Sequence, residues 1–142
     1  MTNSYGTTTT LSGNANSLAN GAFASLGEID FGSAPPHLCF VEVSLQASAA
    51  TSSDKGVYVY ARSSIDGTNF SDAGSTANEL NLQRLGFVSL ADTAAHRCAA
   101  LEISQFFGGG LPTKVEIVVK NACGTALAGS GQGGNYRTLT LG

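Results

Sequence analysis

The chain has 142 residues, 42% hydrophobic and only 12% charged, with a formal net charge of −3. That is room for one domain with a real core, at about half the usual share of charge. The balance excludes a charged disordered tail, a coiled coil and a lysine- and arginine-driven nucleic-acid binder. Small residues dominate instead: 18 glycines, with Ala, Ser and Thr spread throughout.

In chain order, residues 1–21 read as an extended arm with one short strand near Thr7 to Leu11. The first cation is Lys55, and Met1 to Gly21 holds neither a positive start nor an apolar stretch, so no secretory leader is expected there. No window approaches the roughly 20 apolar residues of a membrane-spanning helix. A cytosolic site of synthesis, with no membrane and no nucleic acid among the partners, is the expectation.

Residues 22–142 read as a β domain, because apolar residues recur at every second position. A strand is expected around Ala22 to Phe31. Cys39, Val41, Val43 and Leu45 share one face of the next, with Glu42, Ser44 and Gln46 opposite. Val57, Val59 and Ala61 alternate with Tyr58, Tyr60 and Arg62. Further strands are expected around Leu80 to Val88, at Leu101 to Ile103, from Val115 to Val119, and at Leu139 to Leu141. Leu90 to Ala100, with its alanines, reads as one or two helical turns. Asp66-Gly67 marks a tight turn, Pro35-Pro36 and Gly108-Gly109-Gly110-Leu111-Pro112 mark breaks, and Gly129 to Gly134 reads as a loop. About eight antiparallel strands in a single domain, all-β, suit a jelly-roll-like sandwich.

Few residues offer chemistry. His37-Leu38-Cys39 and His96-Arg97-Cys98 each put a nitrogen and a sulfur on one strand face. Together they could make four zinc ligands, but their spacing matches no zinc-ribbon or finger signature. Asp66, Asn69 and Asp72 could offer oxygens to calcium; without a bidentate carboxylate further on, a plain turn is the preferred reading. Cys39, Cys98 and Cys123 are odd in number and expected as reduced thiols. Gly129-Ser130-Gly131-Gln132-Gly133-Gly134 leads into a strand-like segment and lacks the helix that a phosphate loop needs. No nucleophile elbow, metalloprotease motif or P-loop is present. No catalytic, cofactor-binding or metal-ligating residue is therefore assigned, and no cofactor is expected. The Tyr58, Tyr60 and Arg62 face is read first as packing within the chain and second as an interaction surface.

The segment Val57 to Asp72, Val-Tyr-Val-Tyr-Ala-Arg-Ser-Ser-Ile-Asp-Gly-Thr-Asn-Phe-Ser-Asp, resembles a strand and turn found in small structural proteins of tailed bacteriophages. Phe106 to Pro112, Val115 to Asn121, and Gly124-Thr125-Ala126-Leu127 resemble the same group's Gly-Gly-x-Leu-Pro strand and Asn-x-x-Gly-x-Ala-Leu turn, in the same order. The resemblance spans about half the chain. It implies a non-enzymatic β-sandwich virion protein, of the cement or decoration type, assembled in the host cytoplasm and carried on the capsid surface. Such proteins commonly form a homotrimer and clamp the major capsid protein. The arm would then add a strand to a neighbouring sheet edge. The alternative is a tail or fibre-associated module that binds host-surface glycan through Tyr58 and Tyr60.

Overall fold

Val115, Ile117 and Val119 cannot face water on a nine-residue strand without a large cost, and each is fully buried. They sit on an inner strand of one of two sheets in the computed structural model, which describes residues 2–70 and 82–142. Nine strands are formed among the described residues: β1 (Ser4–Tyr5), β2 (Thr9–Thr10), β3 (Phe23–Asp30), β4 (Leu38–Leu45), β5 (Gly56–Ser64), β6 (Gln83–Ser89), β7 (His96–Glu102), β8 (Lys114–Ala122) and β9 (Gly133–Thr140). One sheet has the order β3-β8-β5-β6; the other runs β9-β4-β7, with β1 and β2 in succession along the outer edge of β9. All pairings are antiparallel. This interleaved order is that of a jelly-roll sandwich.

The inner faces supply one core. Cys39, Val41, Val43 and Leu45 of β4 face Val57, Val59 and Ala61 of β5, with Leu26, Ile29, Leu85 and Val88 from the neighbouring strands. Each buried Val, Leu or Ile contributes roughly 1.5–3 kcal/mol relative to exposure. Loops close the open ends with Leu90, Ile103 and Leu127. In β3 the register shifts between Ser25 and Gly27, and Gly27 takes a φ of 123°, a conformation suited to glycine.

The expected division between arm and domain is redrawn by the packing. Residues 2–10 lie exposed or half-buried along β9, whereas Leu11 and Ala15 belong to the core. The arm also carries two short strands, Ser4–Tyr5 and Thr9–Thr10, where one was expected.

The helical reading of Leu90 to Ala100 does not hold. His96–Glu102 is strand β7, paired with β4 through Leu45–His96, Ser44–Arg97 and Val43–Cys98. The alanines of this stretch do not commit it to a helix, and the open edge of β4 decides the outcome. A short 3-10 turn forms later, at Ser104–Phe107, closed by Gly108 in the left-handed region. The strand expected at Leu80 to Val88 is found at Gln83–Ser89, and Leu80 lies outside the described residues. Among the described residues no helix is long and apolar enough to cross a membrane.

Candidate functional site

Two segments that carry the phage resemblance meet at one end of the sandwich. After β5 the chain turns at Asp66-Gly67, with Gly67 at a φ of 78°. The Asp66 carboxylate accepts hydrogen bonds from Thr68 N at 2.8 Å, Asn69 N at 2.8 Å, Asn69 Nδ2 at 2.8 Å and Ser64 Oγ at 2.9 Å. These donors, led by the Asn69 amide, hold its pKa well below the usual carboxylate range. The carboxylate is thus occupied by its own turn, and Asp72 lies outside the described residues. Strand β6 then pairs with β5.

The turn presents Ile65 to solvent at 86% exposure. Thr113 Oγ1 donates to the Ile65 carbonyl at 2.7 Å, tying the turn to the loop before β8. Between them lies a hollow of about 450 Å³ lined by Ser63, Ile65, Phe107, Gly108, Leu111 and Pro112. The Gly-Gly-x-Leu-Pro loop and the Asp-Gly turn, some forty residues apart in the chain, therefore build one apolar surface.

The outer face of the four-stranded sheet is a second feature. Register places Phe23, Lys120, Tyr58 and Phe87 in one row across all four strands. Val118 and Tyr60 follow in the next, Tyr60 opposite Arg84. Tyr58 meets Phe87 with ring centroids 4.9 Å apart, and the Arg84 guanidinium sits 4.4 Å from the Tyr58 centroid. Lys120 Nζ lies 5.5 Å from the Phe23 ring. Tyr60 is only 3% exposed and packs with Leu82 and Val118. The Tyr58, Tyr60 and Arg62 face is thus packed largely within the chain. Beside it, Arg62 Nε and Glu116 Oε1 pair at 2.7 Å.

The two His-x-Cys pairs are not brought together. Cys39 lies at the start of β4, opposite Thr138, while Cys98 lies opposite Val43 and His96 opposite Leu45, at its far end. His37 Nδ1 accepts from Leu141 N at 3.0 Å, and His96 Nε2 lies 2.7 Å from Asp92 Oδ1. Among the described residues no group of three His, Cys, Asp or Glu side chains could hold a metal ion. All three cysteines are free. Burial, with Glu102 adding to it, pushes the Cys39 thiol up to about 12. Burial also raises Cys98.

The Asn-x-x-Gly-x-Ala-Leu turn proves to be a buried clamp. Asn121, fully buried, donates from Nδ2 to the carbonyls of Leu18 at 2.9 Å and Thr125 at 2.8 Å, and its Oδ1 accepts from Cys123 N at 3.0 Å. Its Oδ1 gives the buried Cys123 amide a partner, and its Nδ2 ties two loop carbonyls together. Gly129 to Gly134 ends in a strand, with β9 beginning at Gly133. The role of Phe23, Lys120 and Phe87 beside Tyr58 is invisible to periodicity within one segment. It depends on register across four strands. No family model matches this chain, and no curated protein or solved structure matches it either.

Proposed function

We propose that this protein is a non-enzymatic structural component of a tailed-phage virion, a cement or decoration protein that binds the major capsid protein on the assembled head. The observation that carries the reading is the meeting of the two resemblance segments in one exposed apolar surface, with Ile65 at 86% exposure beside Leu111 and Pro112. Ile65, at the rim of this hollow, offers apolar surface for a partner to cover. A charged share of 12% supports a surface that a partner covers. In this reading the protein acts by contact area and by repetition. Many copies on a lattice, arranged as trimers, bridge neighbouring subunits, so modest single contacts sum to strong attachment. Residues 2–10, held by edge pairing outside the core, are the part of the chain best suited to join a neighbour's sheet.

The test is cryo-electron microscopy of intact virions. The expected result is density for this chain on the capsid exterior between capsomers, with Ile65 and Leu111 at the contact. Density confined to the tail overturns the reading.

A further inference from the structure

The outer face of the five-stranded sheet, away from Ile65, holds a polar trough that is complete while the arm lies on β9. Its floor follows from register. Ser44 of β4 lies opposite Gly133 of β9 and Arg97 of β7, and Glu42 lies opposite Asn135, which lies opposite Thr10 of β2. At Ser44 and Gly133 the side chain is short or absent. A Cβ built on Gly133 would find its nearest neighbour, the Gly13 carbonyl, 3.9 Å away, so glycine leaves real space there. The resulting hollow is about 330 Å³.

One wall of the trough is rigid. Gln132 is 1% exposed, and its Oε1 accepts from Gln46 N at 2.6 Å while its Nε2 donates to Ser130 O at 2.6 Å. Gln132 N donates to Asn16 Oδ1 at 3.1 Å, and Ala15 N donates to Gln132 O at 3.0 Å. Asn16 is therefore held over the floor by the Gln132 backbone amide, and Asn14 by accepting from Asn16 N at its Oδ1. A second hollow of about 390 Å³ shares Glu42 and Asn135 and runs on to Phe40 and Tyr5. There Arg137 lies 4.6 Å from the Tyr5 ring centroid and donates from Nε to Gly6 O.

The chemistry of this lining is selective. Arg97 Nη1 and Glu42 Oε1 pair at 3.3 Å, so the floor carries both signs and favours neither an anion nor a cation. Carboxamides supply donors and acceptors together, and the neighbouring aromatic end supplies apolar surface. A ligand matching all three needs hydroxyls that both donate and accept, together with a C–H face. We propose that this trough binds a neutral oligosaccharide, with sugar hydroxyls on Asn135, Ser44 and Glu42 and a ring edge against Phe40. The proposal rests on this face with the arm paired to β9.

The test is an amide NMR titration of the full chain with maltohexaose, cellohexaose and chitohexaose separately, and with sulfate as an anion control. The expected result is that at least one sugar shifts the amides of Ser44, Arg97 and Asn135. Asn135→Ala should then weaken binding by at least about tenfold, and Gly133→Leu, which fills the floor, should abolish it, both with unchanged melting. Absence of these shifts with all three sugars overturns the proposal. Shifts confined to another face do the same, as do shifts produced by sulfate alone or binding unaltered by Asn135→Ala.

Discussion

Asn121 donates a hydrogen bond to the carbonyl of Leu18, 103 residues earlier in the chain, at 2.9 Å. With Leu127 N bonded to the same carbonyl at 3.0 Å, this contact joins the loop before β3 to the loop after β8. Asn121→Ala leaves the Cys123 amide without its partner at a buried site and should cost about 2–3 kcal/mol. Asn121→Asp should cost more, because it aims a buried carboxylate at two carbonyls. Urea denaturation of the three proteins should rank them Asn, Ala, Asp in falling stability.

The Arg62–Glu116 pair is nearly enclosed, with side chains 13% and 9% exposed. Glu116→Ala removes the 2.7 Å bond to Arg62 from a nearly enclosed site and should lower the melting temperature. Replacing both partners at once, Arg62→Met with Glu116→Leu, should recover most of that loss. A double variant no more stable than Glu116→Ala would remove the pair from this account.

Alkaline pH should weaken the fold through Cys39. Its thiol ionises near 9.0 when free and near 12 in the fold. Between those values the unfolded chain has lost a proton that the folded chain keeps, so stability falls as pH rises. The slope approaches about 1.4 kcal/mol per pH unit. Cys39→Ala should flatten that decline in melts taken from pH 8 to pH 11. At pH 8, a thiol reagent should label half-buried Cys98 first, and Cys39 only on unfolding.

Asp66 gives the opposite dependence. Its folded pKa is depressed by the turn's donors, so its contribution is present above the unfolded value of 3.8 and fades as pH falls toward the folded one. Asp66→Ala should lower the melting temperature at pH 7. The gap between the two proteins should narrow at pH 2.

Removing residues 2–10 should leave a folded domain with a modestly lower melting temperature, because none of their side chains belongs to the core. It also bares the β9 edge, so light scattering should report self-association. Leu11→Asp, by contrast, places a charge in the core and should prevent folding. A truncated chain without cooperative melting would show that the arm is integral to the fold.

Much of the architecture was readable where one strand face is buried and the other is not. Val115, Ile117 and Val119, and the β4 set from Cys39 to Leu45, have that pattern and lie as expected. The end of β7 at Leu101 and Glu102 was read as strand, but its start was hidden because alanine fits either a helix or a strand and its partner is remote in sequence. The Asp-Gly turn was legible from local chemistry, but its meeting with Leu111 and Pro112 was not, since the sandwich brings them together. The trough was less visible still. Gly133 reads as loop until β4 and β7 are set beside it, when a missing side chain becomes a hollow.

The placement of β9 also has a consequence for synthesis. The arm strands β1 and β2 find their sheet partner only in β9, through pairs such as Ser4–Thr140 and Thr10–Asn135. These are among the first and last parts of the domain to leave a ribosome. Throughout translation the arm has no intramolecular edge to occupy, and β4 lacks one of its two neighbours. Such distant pairing slows closure of the sheet. Each nascent chain therefore passes through an interval in which its leading strand is free and its edges are open, and crowded polysomes become the setting where pairing between copies competes with completion of a single molecule.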